Sequence, residues 1–414
     1  MNTKLKLKIL NFLQFFAWGA WLISIGFYMG ATLHFTGFQI GAVYGTMGFA
    51  SLFMPALLGI VADKWVNAER IFGFSHLILG GLLIALLNVT DFTTFYSIAF
   101  LISMFYMPTI ALDNSISYAI LEKEKLDIVK VFPPIRVWGT VGFIVAAWCV
   151  DLLGWGNSSN QFIVSAIASL TLGVYAFTLP AVKPSQSSEK KSLAQQFGLD
   201  AFVLFKKRKM AIFFIFSMLL GCVLQISNMW GVPFLESFNI NFKGYFAVEY
   251  SMIFLSFSMI SEALFILTIP FFLKKFGIKK VMLMSMAAWV LRFVFFGIGN
   301  PGSGFIFLTL SMIIYGMAFD FFNISGSLFV EKETDKKMRS SSQGLFMLMT
   351  NGLGAIMGAY GSGYIVDLYT SDGTIDWISV WFIFAIYSLI VAIAFALLFK
   401  YKYDPKEELK VNHR

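Results

Sequence analysis

The chain has 414 residues, of which 58% are hydrophobic and 13% charged, and its mean hydropathy is +0.76. Soluble domains carry about 25% charged residues, so this composition excludes an ordinary soluble protein and predicts a chain surrounded by lipid. The net charge of +8 does not indicate a nucleic-acid partner, because the basic residues recur regularly between apolar segments. The two Cys and three His residues are scattered and predict neither a disulfide nor a metal site, and we expect no cofactor.

The chain begins with a basic segment, MNTKLKLK. The apolar run after it is about 22 residues long, which is too long for the hydrophobic region of a signal peptide, so we interpret it as a retained first membrane helix. A membrane helix needs about 20 apolar residues. That length predicts twelve spans in chain order: 9–33, 38–62, 71–90, 94–121, 134–154, 161–181, 210–236, 247–273, 280–299, 304–330, 341–368 and 377–400.

The Lys and Arg residues predict the orientation of these spans. If the N-terminus is cytoplasmic, 29 of the 31 Lys and Arg residues fall in or next to cytoplasmic segments. The exceptions are Lys243 and Arg292, which lies inside the ninth span. Cytoplasmic loops of membrane proteins carry an excess of these residues. The pattern therefore predicts that both termini are cytoplasmic, and one missed span would destroy it.

A polar segment divides the chain into two similar halves. We predict a six-helix bundle over 1–181, a cytoplasmic linker over 182–209, a second bundle over 210–400 and a cytoplasmic tail over 401–414. Three sequence matches relate the halves at offsets just above 200 residues, among them LEKE in the first half and VEKE in the second. Parallel repeats of this kind are typical of the all-α major facilitator architecture, which holds its substrate near the membrane midplane.

Three charged residues of the second half lie at one depth. At the helical rise of 1.5 Å per residue, Glu262, Arg292 and Asp320 are roughly 16 to 18 Å from the cytoplasmic helix ends. Charges at this depth are costly when they face lipid. A structural ion pair between Arg292 and Asp320 would leave Glu262 unexplained. Because a low dielectric favours the protonated form of a spare carboxylate, we predict that Asp320 and Glu262 bind protons.

The first half contains a second charged pair, Asp113 in span four and Arg136 at the start of span five. Pro133–Pro134 predicts that the helix begins there, because proline is favoured in the first helical turn. Thr140 and Phe143 follow Arg136 on the same helical face. A contact between Asp113 and Arg136 is a hypothesis from this placement.

Polar and aromatic side chains in the spans are candidates for ligand binding. Gln225 and Asn228 share a face of span seven, and Tyr315 and Phe319 precede Asp320 on span ten. Lone amides in membrane helices also serve as contacts between helices, and most of the Phe residues pack or face lipid. Amides together with aromatic rings suit a ligand that has hydroxyl groups and a flat ring.

Several long segments resemble the bacterial nucleoside permeases, the nucleoside:proton symporter family of the major facilitator superfamily. They include LQFFAWGAWL, MPALLGIVADKW, FPPIRVWGTVGFI, SEALFILTIPFF and YGMAFDFFNISGSLFVEKE. The resemblance covers nearly the whole chain. It implies import of nucleosides together with protons across the inner membrane by alternating access, and we expect a monomer.

The resemblance also implies roles for single residues. Asp320 matches the proton-linked carboxylate, and Met259 and Asp113 depart from the family pattern. Asp63 and Lys64 match the gating motif of the loop between spans two and three, although a plain charged loop is the alternative. The family's substrate contacts match these residues: Arg136, Thr140, Phe143, Gln225, Asn228, Glu262, Tyr315 and Phe319.

Other functions remain open on the residues alone. A sugar:proton symporter could use the same polar groups, and a receptor or scaffold would transport nothing. The sequence lacks the phosphate-binding motif of ATPases, which favours an ion gradient as the energy source. No pattern of a nucleophile with a base is visible, so we predict that the chain is not an enzyme.

Overall fold

The computed structural model describes residues 2–184, 199–335 and 338–401, and within these ranges it contains fifteen α-helices and one short β-hairpin. Parts of the predicted linker (185–198) and tail (402–414) lie outside the described residues. In the first half the helices are α1 Thr3–Gly19, α2 Ile25–Phe27, α3 Gly37–Lys64, α4 Ala68–Ala85, α5 Phe92–Lys123, α6 Ile128–Leu152 and α7 Gln161–Ala176. A π-helix, Tyr28–Thr32, follows α2.

The second half continues in the same way. Its helices are α8 Arg208–Ser237, α9 Phe246–Glu249, α10 Ser251–Ile266, α11 Ile269–Ile298, α12 Phe305–Glu333, α13 Arg339–Met347, α14 Ala355–Leu368 and α15 Trp377–Leu398. A π-helix, Leu348–Gly354, joins α13 to α14 into one long span. The hairpin pairs Thr370–Ser371 with Thr374–Ile375 just before α15.

Capping residues place several helix starts. Thr36 and Gln39 form a reciprocal capping box at the start of α3, with bonds of 3.2 and 2.9 Å. Asp91 accepts a hydrogen bond from the backbone N–H of Thr94 at the start of α5. Asp376 does the same for Ser379 in α15. Such caps satisfy backbone N–H groups that the first helical turn leaves without partners.

Eight of the described helices are long and apolar enough to cross a membrane on their own. The other predicted spans are interrupted or short. The first is divided among α1, α2 and the π-helix Tyr28–Thr32, and the eleventh between α13 and α14. The sixth is the short helix α7, and the eighth is the short helix α10. The predicted positions of all twelve spans therefore coincide with helices.

The start of span five differs from the prediction. α6 begins at Ile128 and contains both Pro133 and Pro134 in its interior. Asp127 accounts for the earlier start, because its carboxylate accepts the N–H of Lys130 at 3.3 Å and its carbonyl accepts the N–H of Val131 at 2.9 Å. The prediction that the two prolines set the helix start was wrong, since a capped turn precedes them.

The junction of spans eight and nine is a helical break. α10 ends before Leu267 and Thr268, and Pro270 lies in the first turn of α11, where its missing N–H costs nothing. The segment 274–279, expected as a loop, is helical on both sides of Gly277, whose φ is +74°. Glycine adopts this left-handed conformation without the steric cost of a Cβ.

The described residues form two compact units. The first contains 2–184, Ile226–Ser256 and Ala355–Asp367, and so combines the first half with α9 and with parts of α8, α10 and α14. Within it α1 packs against α6 and α7, and α3 packs against α5. The second contains 199–225, 257–335, 338–354 and 368–401, where α11 packs against α12 and α15. The division into two six-helix domains by sequence position stays a prediction.

Candidate functional site

Arg136 lies among aromatic rings in the first unit. Its guanidinium is 4.0 Å from the centre of the Phe15 ring, a distance at which a cation is attracted to the π-face. Trp18 contacts Phe15, Tyr106 and Phe143, with ring centres 5.4 to 6.2 Å apart. We call these five residues the Arg136 group. They form an aromatic surface with one fixed positive charge.

Asp113 lies fully buried beside this group. One carboxylate oxygen accepts a 3.4 Å hydrogen bond from the side-chain amide of Asn11, which also donates to the carbonyl oxygen of Leu7 at 3.1 Å. The other oxygen has no hydrogen-bond partner among the described residues. Arg136 interacts electrostatically with Asp113. This supports the hypothesis of an Asp113–Arg136 pair, which stays a hypothesis.

The sequence did not single out a buried polar network next to the Arg136 group. Gln14 donates to the hydroxyl of Thr109 at 2.8 Å, and its side-chain oxygen lies 2.7 Å from Nε2 of His76. The Tyr106 hydroxyl donates to the backbone carbonyl oxygen of Gln14 at 3.0 Å. The available signal was a Gln and a His within apolar spans, since such residues need buried partners. The network fixes the position of Tyr106 against Trp18.

Other predicted residues of the first unit are less constrained. Thr140 lies one turn after Arg136 and is half-buried, as is Asn228 in α8. Asp63 and Lys64 lie exposed in the last turn of α3. Among the described residues they form no hydrogen bond or ion pair, so their gating role stays a prediction.

Arg292 is the centre of a second group, in the second unit. It is 2% exposed and donates to the carbonyl oxygen of Ser311 at 2.6 Å and to the hydroxyl of Ser258 at 3.3 Å. Its guanidinium is 4.5 Å from the centre of the Tyr315 ring and 4.9 Å from that of Phe296. These contacts hold a buried cation against an aromatic face. Ser311 was not predicted, because periodicity within one helix does not reveal a backbone partner on another.

Tyr315 contacts two further aromatic rings. Its ring is stacked with that of Phe319, with centres 6.0 Å apart and planes 9° apart. Trp289 meets the Tyr315 ring edge-on at 5.7 Å. We call Arg292, Trp289, Tyr315, Phe319, Glu262 and Asp320 the Arg292 group. Its rings offer a flat apolar surface.

The two acids of this group, Glu262 and Asp320, lie close enough to interact with the same tyrosine, Tyr315. Glu262, Arg292 and Asp320 all interact electrostatically with Tyr315, and Glu262 interacts with Asp320. Asp320 is 4% exposed, and one of its carboxylate oxygens has no hydrogen-bond partner among the described residues. The predicted placement of three charges at one depth therefore corresponds to one electrostatic cluster.

Gln225 belongs to the same unit. Its side-chain nitrogen is buried and lacks a hydrogen-bond acceptor within the part of the chain that the structure describes. A buried donor without a partner is unusual in proteins. This amide is therefore available to a ligand that brings its own acceptor. The described ranges contain no cluster of three or more side chains suited to a metal ion.

Comparison with known proteins identifies the family. The profile described as Nucleoside H+ symporter matches residues 1–404. The chain belongs to the nucleoside H+ symporter family. Xanthosine permease of Escherichia coli (strain K12) is 52% identical to this symporter over 417 aligned residues, covering 100% of this chain and 99% of the permease. Nucleoside permease NupG of the same organism is 51% identical and covers 97% of both chains.

Solved structures agree with this assignment. The crystal structure of nucleoside transporter NupG superposes on the symporter with a TM-score of 0.92, covering 97% of this chain and 100% of NupG at 51% identity. The predicted fold class, an all-α membrane protein of the major facilitator superfamily, is confirmed, and the fifteen described helices fit twelve membrane spans with additional short helices. The symporter is a multi-pass membrane transporter. Because its relatives are permeases, the prediction that it is not an enzyme is also confirmed.

Proposed function

We propose that this chain imports nucleosides together with protons by alternating access. Membership of the nucleoside H+ symporter family supports both substrates. The structural observation that carries the proton-coupling mechanism is Asp320, a buried carboxylate with one oxygen that has no hydrogen-bond partner in the described part of the chain, and with a second acid, Glu262, acting on it. A secondary transporter that uses the proton gradient needs such a group inside the membrane.

Nucleoside recognition is assigned to two sets of residues. In the first unit they are Arg136, Thr140, Phe143 and Asn228. In the second they are Gln225, Glu262, Tyr315 and Phe319. The aromatic rings suit the flat face of a base, while the carboxylate and amides suit ribose hydroxyls and ring nitrogens. Gln225 supports this assignment most directly, because its amide donor has no acceptor within the described residues.

The proton is assigned to Asp320, with Glu262 as its neighbour. Two carboxylates in one apolar setting repel each other when both are ionised, so binding of one proton relieves that repulsion. Arg292 lies against Tyr315 and cannot lose its charge under ordinary conditions. Protonation of Asp320 therefore changes the net charge of the Arg292 group, and this change couples proton entry to nucleoside binding.

Replacement of Asp320 tests the proposal. In Asp320→Asn, a side chain of the same shape can no longer exchange a proton. We expect reconstituted vesicles with this variant to lose nucleoside accumulation against a gradient, while the purified variant still binds nucleoside. Uptake of labelled uridine under an imposed pH gradient, with calorimetric binding in detergent, measures both.

Asp372→Asn is the matched control. Asp372 is exposed and has a φ of +51°, a conformation that Asn also tolerates. This variant should accumulate nucleoside like the wild type. Undiminished uphill uptake by Asp320→Asn would contradict the proton-carrying role of Asp320.

The cellular placement is also proposed. The similarity to bacterial permeases supports insertion in the bacterial inner membrane. The distribution of Lys and Arg supports an orientation with both termini in the cytoplasm. The protein is expected to act as a monomer within the lipid bilayer, because each chain carries a complete set of the proposed recognition residues.

A further inference from the structure

Two aspartates in the first unit cap helices other than their own. Asp367 lies in the last turn of α14, and its carboxylate accepts the backbone N–H of Gly37 at 2.5 Å and that of Phe38 at 2.8 Å. Gly37 and Phe38 are the first residues of α3. A carboxylate at a helix N-terminus is favoured both by its hydrogen bonds and by the helix dipole. The carboxylate of Asp367 therefore joins α14 to the start of α3.

Asp151 makes the corresponding contact at another helix start. It lies in the last turn of α6 and accepts the backbone N–H of Ile253 at 2.8 Å, in the first turn of α10. One turn earlier on α6, the indole of Trp148 donates to the hydroxyl of Ser256 at 2.8 Å. The carboxylate of Asp151 therefore joins α6 to the start of α10.

The two contacts are related by the internal repeat of the chain. Asp151 and Asp367 are 216 residues apart, and so are Gly37 and Ile253. Span five of the first half caps span eight of the second, and span eleven of the second half caps span two of the first. Each contact therefore joins the first half of the chain to the second, with the roles of the halves exchanged.

Both contacts depend on close approach of the helices. A Cβ atom on Gly37 would lie 2.6 Å from the carbonyl oxygen of Gly363, so α3 and α14 touch through their backbones. Beside Asp151 is a cavity of about 400 Å³, whose lining includes Glu236, Lys243 and Glu249. The N–H groups of Gly37, Phe38 and Ile253 keep their charged acceptors only while the helices stay together. Separation would break three charge-assisted hydrogen bonds.

We propose that Asp151 and Asp367 are paired latches that hold the two halves of the chain together at one face of the membrane. Both release when the carrier opens to that face. The Lys and Arg distribution assigns this face to the outside of the cell. The inference rests on the alternating access of the proposed function, but it concerns a conformational equilibrium that can be measured without transport.

The test measures the distance across this face. Spin labels are placed at Thr90→Cys and Ser303→Cys, two exposed positions in loops that the proposed topology puts on the outside. Cys149 and Cys222 are replaced by Ser.

The latch variants are Asp151→Ala, Asp367→Ala and the double variant. Each single variant should raise the ratio of long to short distances by about twofold to fivefold, the range expected for a carboxylate at a helix end. The double variant should raise it further.

Asp91→Ala and Asp376→Ala are matched controls. These aspartates also cap helix starts, but each caps its own helix. The controls should leave the distance distribution unchanged. Should the Ala variants aggregate, Asp151→Asn and Asp367→Asn decide the question, because Asn keeps one acceptor and removes the charge. A double variant with the wild-type distribution would overturn the latches. A shift in distances in the latch variants, together with no proton-driven nucleoside uptake by the wild-type protein, would count against the proposed function alone.

Discussion

A buried charge in a membrane protein is stable when neighbouring groups replace the water it has lost. Arg292 meets this requirement through the Ser311 carbonyl, the Ser258 hydroxyl and the Tyr315 ring. Asp320 meets it less completely, because one of its oxygens has no partner among the described residues. This difference supports the proposal that Asp320 exchanges a proton, while Arg292 stays a fixed cation.

The sequence predicted that these charges lie at one depth, but not which groups surround them. Helical rise placed Glu262, Arg292 and Asp320 at one depth, and their electrostatic cluster follows from that placement. The partners of Arg292 could not be predicted, because a backbone carbonyl carries no signature in the sequence. Contacts between helices depend on rotation and axial offset, which periodicity within one helix leaves undetermined.

Replacement of Gln225 should have opposite effects on nucleoside affinity and on thermal stability. Gln225→Leu removes an amide donor that has no acceptor within the described residues. Nucleoside affinity should fall roughly fivefold, since one lost hydrogen bond is worth about 1 kcal/mol. The melting temperature should stay level or rise, because an unsatisfied buried group disappears. Calorimetric binding and a thermal melt of the purified protein measure both quantities.

Gln39→Leu is the contrasting variant. Gln39 completes the capping box of α3. Its replacement by Leu should therefore lower the melting temperature and leave the affinity for nucleoside unchanged. If Gln225→Leu instead melted early and bound nucleoside normally, Gln225 would have a structural role rather than a role in recognition.

At the scale of helices, tight packing recurs at equivalent places in the two halves. A Cβ on Gly142 in α6 would lie 2.1 Å from the carbonyl oxygen of Phe12 in α1. In the second half, a Cβ on Gly354 would lie 2.5 Å from the carbonyl oxygen of Met218 in α8. Small residues allow membrane helices to approach closely. Spans one and five, and spans seven and eleven, therefore pack backbone to backbone.

The prediction for helix packing compares two glycines. Gly142→Ala forces α6 away from α1 and should destabilise the protein by about 1–3 kcal/mol, as overpacking does. Gly81→Ala adds a Cβ where no atom lies within 4 Å of it, and the gain in helix propensity is up to about 1 kcal/mol. Thermal melts in detergent should therefore shift in opposite directions. Equal shifts would show that α1 and α6 can separate without cost.

Span positions were predictable from the sequence, and helix ends less so. Twenty-residue apolar runs identify spans because a helix must cross a fixed thickness. The start of α6 was missed, since the capping carboxylate of Asp127 precedes the proline pair. The break at Gly277 was also missed, because four lysines made the segment look like a loop while the backbone stays helical on both sides.

For the whole molecule, the proposed mechanism requires the proton gradient as its energy source. Collapse of the pH gradient and membrane potential with a protonophore should return the internal concentration of nucleoside to the external value. Exchange of labelled for unlabelled nucleoside should continue, because exchange needs no net driving force. Vesicle uptake and counterflow measure the two processes. Accumulation that persisted without the gradient would refute coupling to protons.

Competition separates nucleoside transport from the sugar alternative. The family assignment disfavours a sugar:proton symporter. Excess unlabelled nucleoside should abolish uptake of labelled uridine, whereas free ribose or galactose should leave it unchanged. The proposed recognition by the rings of Tyr315 and Phe319 gives the physical reason, since a free sugar has no flat base to stack on such rings. Full inhibition by a free sugar would favour the alternative.

The paired aspartates also bear on how such a chain arose. In a homodimer with twofold symmetry, a contact from residue i to residue j is always accompanied by the contact from j to i. The contacts of Asp151 with Ile253 and of Asp367 with Gly37 keep this reciprocal form within a single polypeptide. An ancestral six-helix subunit with one such aspartate would have clasped a second copy of itself in the same way, and gene fusion would then have preserved both clasps.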